Sequence, residues 1–207
     1  MAIHLIAIAG GSGSGKSWLA RHLLAGLGET AGGLALDDFY RDLSPLPQAE
    51  RDAVNFDHPE AIDWPLFHQV LDRIRANEPT EVPAYDFATH CRRPVPKHWE
   101  PRPIVVLDGL WLLHRPELRP LYSLSVYLDC PAEMRLARRV ARDETERNRT
   151  AASVESQFAQ VVDPMHRRFV APQAAHADWV VESPLPAAHL AGLEARCRQF
   201  TLSPTRI

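Results

Sequence analysis

Residues Gly10-Gly11-Ser12-Gly13-Ser14-Gly15-Lys16-Ser17 form a complete G-x-x-x-x-G-K-S pattern, directly after the apolar run Ile3-His4-Leu5-Ile6-Ala7-Ile8-Ala9. Glycine at Gly10, Gly13 and Gly15 lets the backbone aim several N–H groups inward and approach an anion more closely than side chains would permit. Lys16 adds a point charge for β- and γ-phosphates. The Ser17 hydroxyl can ligate Mg²⁺, at the start of a helix whose dipole favours anions. Strand, loop and lysine together specify a nucleoside triphosphate tail as the ligand of Gly10 to Ser17.

Further groups suit transfer of a phosphoryl group from that tail. Leu36-Asp37-Asp38-Phe39-Tyr40 follows a second apolar run, which sets Asp37 and Asp38 at a strand end beside the loop. A carboxylate there can accept the proton of an attacking hydroxyl or hold a metal ion through water. Ile104-Val105-Val106-Leu107-Asp108-Gly109 ends another run in a carboxylate suited to an Mg²⁺ shell, so Ser17, Asp37 and Asp108 are the candidate metal ligands. Arg142-Asp143-Glu144-Thr145-Glu146-Arg147-Asn148-Arg149 carries charge past the apolar periodicity, as expected of a mobile segment that closes over a polyphosphate. A solvated amphipathic helix accounts for Arg135 and Arg138. Asn55-Phe56-Asp57-His58-Pro59 precedes a helix, where Asp57 can accept hydrogen bonds from a sugar diol beside Phe56. Tyr85, Phe87 and His90 combine flat rings with one polar edge, the makings of a pocket for a heterocyclic base. His22, His68 and His176 lack ligand-like spacing and are read as structural.

The elements that must position these groups alternate along the chain. Short apolar runs at Ile3–Ala9, Leu34–Leu36, Ile104–Leu107, Leu124–Leu128 and Trp179–Val181 predict five strands buried on both faces. Helical patterns at Lys16–Leu27, Trp64–Ala76, Pro131–Arg142, Ser153–Phe169 and Pro186–Phe200 lie between and after them, with Pro164 bending or splitting the fourth. The expectation is an α/β fold with a mostly parallel five-stranded sheet, flanked by helices and binding ligands at the carboxyl ends of its strands. The proline-rich segment 81–103 breaks the rhythm and predicts a short hairpin with a long loop, and residues 142–152 form the arginine-rich lid. A length of 207 residues with 45% hydrophobic content suits one domain over 1–207.

A net charge of −3 gives no electrostatic footprint for a nucleic-acid partner. Cys91, Cys130 and Cys197 are odd in number and widely spaced, which suggests neither a disulfide framework nor a zinc cluster and fits the reducing cytoplasm. No stretch approaches membrane-spanning length, so a membrane partner is not expected.

Taken in order, the blocks Asp37-Asp38-Phe39-Tyr40, Asn55 to Pro59, Pro83-Ala84-Tyr85-Asp86-Phe87 with His90, Asp108-Gly109, Arg138 to Arg149, and Pro164-Met165 through Phe169, Pro172 and Ala177-Asp178 resemble the uridine kinase (uridine–cytidine kinase) family, within the phosphoribulokinase-like group of phosphate-loop kinases. The resemblance implies ATP (or GTP) as phosphate donor, Mg²⁺, and a pyrimidine nucleoside accepting phosphate on its 5′-hydroxyl. It makes Asp37 the general base and Lys16, Arg142 and Arg147 its catalytic partners at the phosphates. Asp57 becomes the ribose acceptor with Arg139 or Arg149, and Phe56 packs beside it. Tyr85, Phe87 and His90 become the base pocket, with Tyr40 nearby, and Gln157 sits near the nucleoside. A homotetramer is also implied. Three positions depart from the family pattern: Asp108 stands where it has Glu, Asn148 where it has Gly, and Glu182-Ser183-Pro184 where it continues otherwise. Two alternatives remain open on sequence grounds. One is a kinase of another small-molecule hydroxyl, such as that of nicotinamide riboside, pantothenate or a sugar phosphate. The other is a non-catalytic ATP-binding switch.

Overall fold

In the computed structural model, which describes residues 2–146 and 149–202, β1 (His4–Gly10) is the middle strand of a five-stranded sheet. Its side chains alternate between two apolar layers, as strand geometry requires. Leu5, Ala7 and Ala9 join one core with Phe39, Phe67 and Trp111, whereas Ile6 and Ile8 join the other with Leu19 and Leu23. Helix α1 (Lys16–Leu27) leaves the glycine loop and covers the second layer. The strand β2 (Ala31–Ala35) ends earlier than the apolar run suggests, because Leu36–Phe39 coils into a short 3₁₀ turn that carries Asp37 and Asp38.

A short helix α2 (Gln48–Asp52), not evident from periodicity, precedes the Asn55 block. Helix α3 (Trp64–Arg75) starts where Asp63 accepts the Leu66 N–H, and it buries Trp64, Phe67, Val70, Leu71 and Ile74 along one stripe. The proline-rich excursion is two nested antiparallel pairs rather than one short hairpin with a loop. Strand β3 (Thr80–Val82) pairs with β6 (Lys97–Trp99), and inside them β4 (Tyr85–Asp86) pairs with β5 (Cys91–Arg92). Pro83, Pro94 and Pro96 lie between the two ladders, where their missing N–H groups interrupt continuous pairing.

Strands β7 (Ile104–Gly109) and β8 (Tyr122–Asp129) flank β1, and the full order is β2-β7-β1-β8-β9 with every pairing parallel. Helix α4 (Ala132–Glu146) follows β8 and runs one turn beyond the apolar periodicity, so Arg142 to Glu146 belong to a helix. Thr150 caps α5 (Ala151–Gln157) by accepting the Ser153 N–H. The chain then continues through π turns at Phe158–Val162 and His166–Val170 on either side of the one-turn α6 (Asp163–Met165). Pro164 explains those wide turns: it lacks a donor and its ring crowds the preceding carbonyls. Strand β9 (Trp179–Glu182) closes one sheet edge, and α7 (Ala187–Leu202) packs with α1 on the second layer. Among the described residues no helix is long and apolar enough to cross a membrane.

Because all five strands run the same way, the glycine loop after β1, the turn after β2 and Asp108 at the end of β7 emerge at one edge of the sheet.

Candidate active site

The phosphate loop is held by contacts that the sequence reading did not foresee. Gly13 has φ +81°, and a Cβ there would stand 2.4 Å from the Arg135 main-chain oxygen. A Cβ on Gly11 would stand 2.8 Å from both Arg135 Cδ and His166 Nδ1. Glycine is therefore required twice by neighbours that press on the loop from behind. Arg135 is 2% exposed; it donates to Asp163 Oδ1 (2.8 Å) and the Cys130 carbonyl (3.1 Å), and lies over the Phe158 ring. Arg138 donates to the Ser14 carbonyl (3.2 Å) and Ser183 Oγ (2.9 Å), and the Ser183 hydroxyl donates in turn to the Ser14 carbonyl. Both arginines brace the loop, Arg135 buried and Arg138 partly buried, which corrects the expectation of an ordinary solvated amphipathic face. The signal was available: Arg135, Arg138, Arg139 and Arg142 fall at i, i+3, i+4 and i+7, one side of a helix. His166 was also missed, although it lies inside the Pro164-to-Phe169 block. Burial and the cations Arg135, Lys16 and Arg167 push its imidazole down to about 4 against an opposing pull from Asp163, so it is neutral near pH 7.

Lys16 Nζ donates to the Gly11 carbonyl (2.9 Å). Burial lowers its pKa, and the Asp37 and Asp108 carboxylates oppose that shift, which sets both acids in the electrostatic reach of the loop lysine. Asp108 Oδ2 accepts the Ser17 hydroxyl proton at 2.6 Å. One hydroxyl with carboxylates is the oxygen-only donor set that Mg²⁺ prefers, and it leaves room for phosphate and water ligands. Asp38, next in sequence to Asp37, is committed elsewhere: it pairs with Lys97 (2.7 Å) and accepts the Tyr85 N–H (3.3 Å), docking the nested hairpins on the sheet edge.

Across the loop, fully buried Asp143 gathers arginines. Arg142 reaches it at 2.8 and 2.7 Å, and Arg139 and Arg149 each approach to 3.6 Å. Arg139 donates to Ser12 Oγ (2.9 Å) and Gln157 Oε1 (3.0 Å), and Arg149 shares that same Gln157 oxygen. Burial lowers the Arg139 pKa, with Asp57 and Asp143 acting the other way, so Asp57 lies within the same charge network. Arg147 and Asn148 lie outside the described residues.

Ser12 and Asp57 line one narrow cleft together with Leu110, Val162, His166 and Val170. Within the Asn55 block, Asn55 accepts the Asp57 N–H and His58 accepts the Glu60 N–H; these two fold the turn that presents Phe56 and Asp57. Phe56 stacks on His90 with centroids 4.4 Å apart and meets Tyr40 edge-on at 5.5 Å. Tyr40 in turn contacts Tyr85 (5.2 Å) and Phe87 (6.4 Å). The five rings that the sequence pointed to thus form one cluster, although they come from three separate segments. The buried Tyr85 hydroxyl has no hydrogen-bond partner among the described residues. Ala177-Asp178 has a structural task, since Asp178 accepts both the N–H and the hydroxyl of Ser125 in β8.

A parallel sheet with a phosphate loop at its carboxyl edge, acids on the neighbouring strands and an arginine-bearing helix across the loop defines a phosphate-loop kinase. Residues 5–189 match the model of the phosphoribulokinase/uridine kinase family, and the chain belongs to that family. It is 41% identical to a uridine kinase of Deinococcus deserti over 182 residues, covering 86% of each chain. It is 37% identical to a uridine kinase of Halobacterium salinarum, covering 85% of this chain and 78% of the relative. Among solved structures, a putative fructose transport system kinase from a Silicibacter species superposes with a TM-score of 0.69 at 24% identity, over 86% of this chain and 89% of the other. Phosphoribulokinase from Rhodobacter spheroides superposes at 0.66 with 15% identity, over 87% of this chain and 70% of the other. These two structures share the fold.

Proposed function

We propose that the protein transfers the γ-phosphoryl group of ATP or GTP to the 5′-hydroxyl of uridine or cytidine, yielding the nucleoside monophosphate in a pyrimidine-salvage step. The observation that carries this reading is that Asp57, next to the ring cluster at Phe56, shares a cleft with Ser12 of the phosphate loop. A sugar hydrogen-bonded to Asp57 would then join a base among the rings to a phosphate at the loop. A sugar phosphate has no base to occupy that cluster, which weighs against an acceptor of that kind. A pure switch has no use for an acceptor site.

In this reading Lys16 and the loop amides neutralise the triphosphate, and the transfer is an in-line displacement with little covalent work by the protein. As the 5′ oxygen bonds to Pγ, its proton passes to the Asp37 carboxylate, while the bond from Pγ to the β,γ-bridging oxygen breaks and the nucleoside diphosphate leaves. Ser17, Asp108 and Asp37 would hold Mg²⁺, which when bound supplies charge neutralisation at the β- and γ-oxygens. Arg142, and Arg147 by resemblance, stabilise charge on the transferring group, and closure around them excludes water. Arg139, Arg149 and Gln157 line the ribose side; Tyr40, Phe56, Tyr85, Phe87 and His90 hold the base. A homotetramer follows from the resemblance and is checked by light scattering.

The test is an acceptor panel of uridine, cytidine, purine nucleosides, nicotinamide riboside, pantothenate and ribulose phosphate. Product is read by phosphorus NMR. A 5′-monophosphate from uridine or cytidine at the highest kcat/KM is expected. Turnover confined to a non-nucleoside alcohol, or triphosphate binding with no turnover of any acceptor, overturns the reading.

A further inference from the structure

Arg51, on the short helix α2, is the most heavily committed side chain near the ring cluster and has no part in the chemistry above. Its guanidinium spans two chain segments. On one side it donates to the Leu46 carbonyl (2.6 Å) and the Ser44 carbonyl (3.0 Å), in the loop that leaves Tyr40. On the other it donates to the Thr89 carbonyl (3.2 Å) and Cys91 Sγ (2.9 Å) at the turn of the inner hairpin. Thr89 and Cys91 are the two neighbours of His90. That histidine has φ +55°, a conformation a non-glycine residue keeps only when its surroundings fix it. It also stacks on Phe56 at an interplanar angle of 17°, with Asp52 of α2 3.8 Å from its Nε2.

A planar fork of donors suits this task. It can satisfy acceptors in different directions at once and lose little freedom per bond, which an ammonium on a flexible stem cannot do. Arg92 makes a second, separate tie, from the hairpin to the Tyr40 carbonyl and Asp63, so the hairpin remains docked through β5 whatever happens at its turn.

We infer that Arg51 is a positioning residue for base recognition: by gripping the chain on both sides of His90 and tying it to the loop after Tyr40, it presents the imidazole as a fixed, ring-backed polar edge to the heterocycle of the acceptor. The inference rests on the nucleoside reading above. It predicts a selective defect, because the contacts of Arg51 lie in the acceptor half and none reaches the phosphate loop.

The experiment compares wild type, Arg51→Gln and Arg51→Lys in the full chain. Steady-state kinetics with uridine, triphosphate binding by calorimetry and the His90 ring Cε1–H resonance, displaced by the Phe56 ring current, are the readouts. For Arg51→Gln the uridine KM should rise about tenfold or more, with kcat and triphosphate affinity within about twofold and the His90 resonance moving toward that of a free imidazole. Arg51→Lys keeps part of the tie and should fall between, and it serves if the glutamine variant does not fold. Unchanged uridine KM with an unmoved His90 resonance overturns the inference. So does an equal loss of triphosphate affinity, which would make Arg51 a general brace. If wild type phosphorylates no nucleoside while Arg51→Gln still releases the His90 resonance, the acceptor reading fails and the grip on His90 stands.

Discussion

Asp37 and Asp38 are adjacent in the chain and differ wholly in surroundings. Asp38 is bonded to Lys97 and the Tyr85 N–H, whereas Asp37 acts electrostatically on Lys16. With Asp37 in the proposed role of proton acceptor, Asp37→Asn is expected to lower kcat by about 10²–10⁴ with little change in triphosphate affinity. Near-normal turnover would remove it from that role. Asp38→Asn should leave kcat closer to wild type and loosen the nested hairpins instead. His166 offers a pH test. Its folded pKa of about 4 lies below the usual 6.5, so the unfolded chain binds the extra proton between these values. The contribution is complete above pH 6.5 and is lost as pH falls toward 4, and for a partly exposed group it is worth on the order of 1–2 kcal/mol. Thermal midpoints of wild type and His166→Gln should therefore converge as pH drops from 7 to 4. Parallel curves would show that the ring does not titrate this way.

At the scale of elements, α4 works as a rack. Arg135 and Arg138 press on the phosphate loop, Arg139 touches Ser12, and Arg142 turns to Asp143. A buried carboxylate between guanidinium groups holds its partners by charge, and removing one side of such an arrangement costs about 3–5 kcal/mol because the other side stays buried. Asp143→Ala should thus lower the melting temperature by several degrees and weaken turnover together; a variant as stable as wild type would show that the arginines hold their places without it. The loop itself gives a sharper case. Gly13→Ala meets main chain at 2.4 Å in a left-handed conformation, so neither rotamer change nor solvent can relieve it. Triphosphate binding by calorimetry should be lost or fall at least about a hundredfold, since each ~1.4 kcal/mol is tenfold. Retention of wild-type affinity would mean that α4 can move aside.

For the whole molecule, the five-stranded sheet between its two apolar layers holds the phosphate loop, the Asp37 turn and Asp108 at one edge, so ligands bound there report on global stability. Saturation at a hundred times Kd adds about 2.7 kcal/mol, or roughly 5–11 °C in melting temperature for a chain of this size. Triphosphate should raise the midpoint by that order, and uridine should add to it; no added shift would count against an acceptor site beside the loop. Much of this architecture was legible beforehand because it follows local rules. Glycine placement and a preceding apolar strand announced the phosphate loop, and five apolar runs with helical periods between them announced the parallel sheet. The residue types pointed to Asp57 and the rings at Phe56, Tyr85, Phe87 and His90, and resemblance across ordered blocks added Tyr40, Gln157, Arg139 and Arg149. Less legible were the nested pairing of β3 with β6 around β4 and β5, the π turns around Pro164, and the docking of Arg135 and Arg138 against the phosphate loop. By itself the sequence determined the fold class and the anion-binding loop, since both depend on residues close together in the chain. Only tertiary structure decided which of two neighbouring aspartates acts on the lysine, which arginines are braces, and that Arg51 holds the chain on both sides of His90, because each depends on which distant segment arrives to meet a side chain.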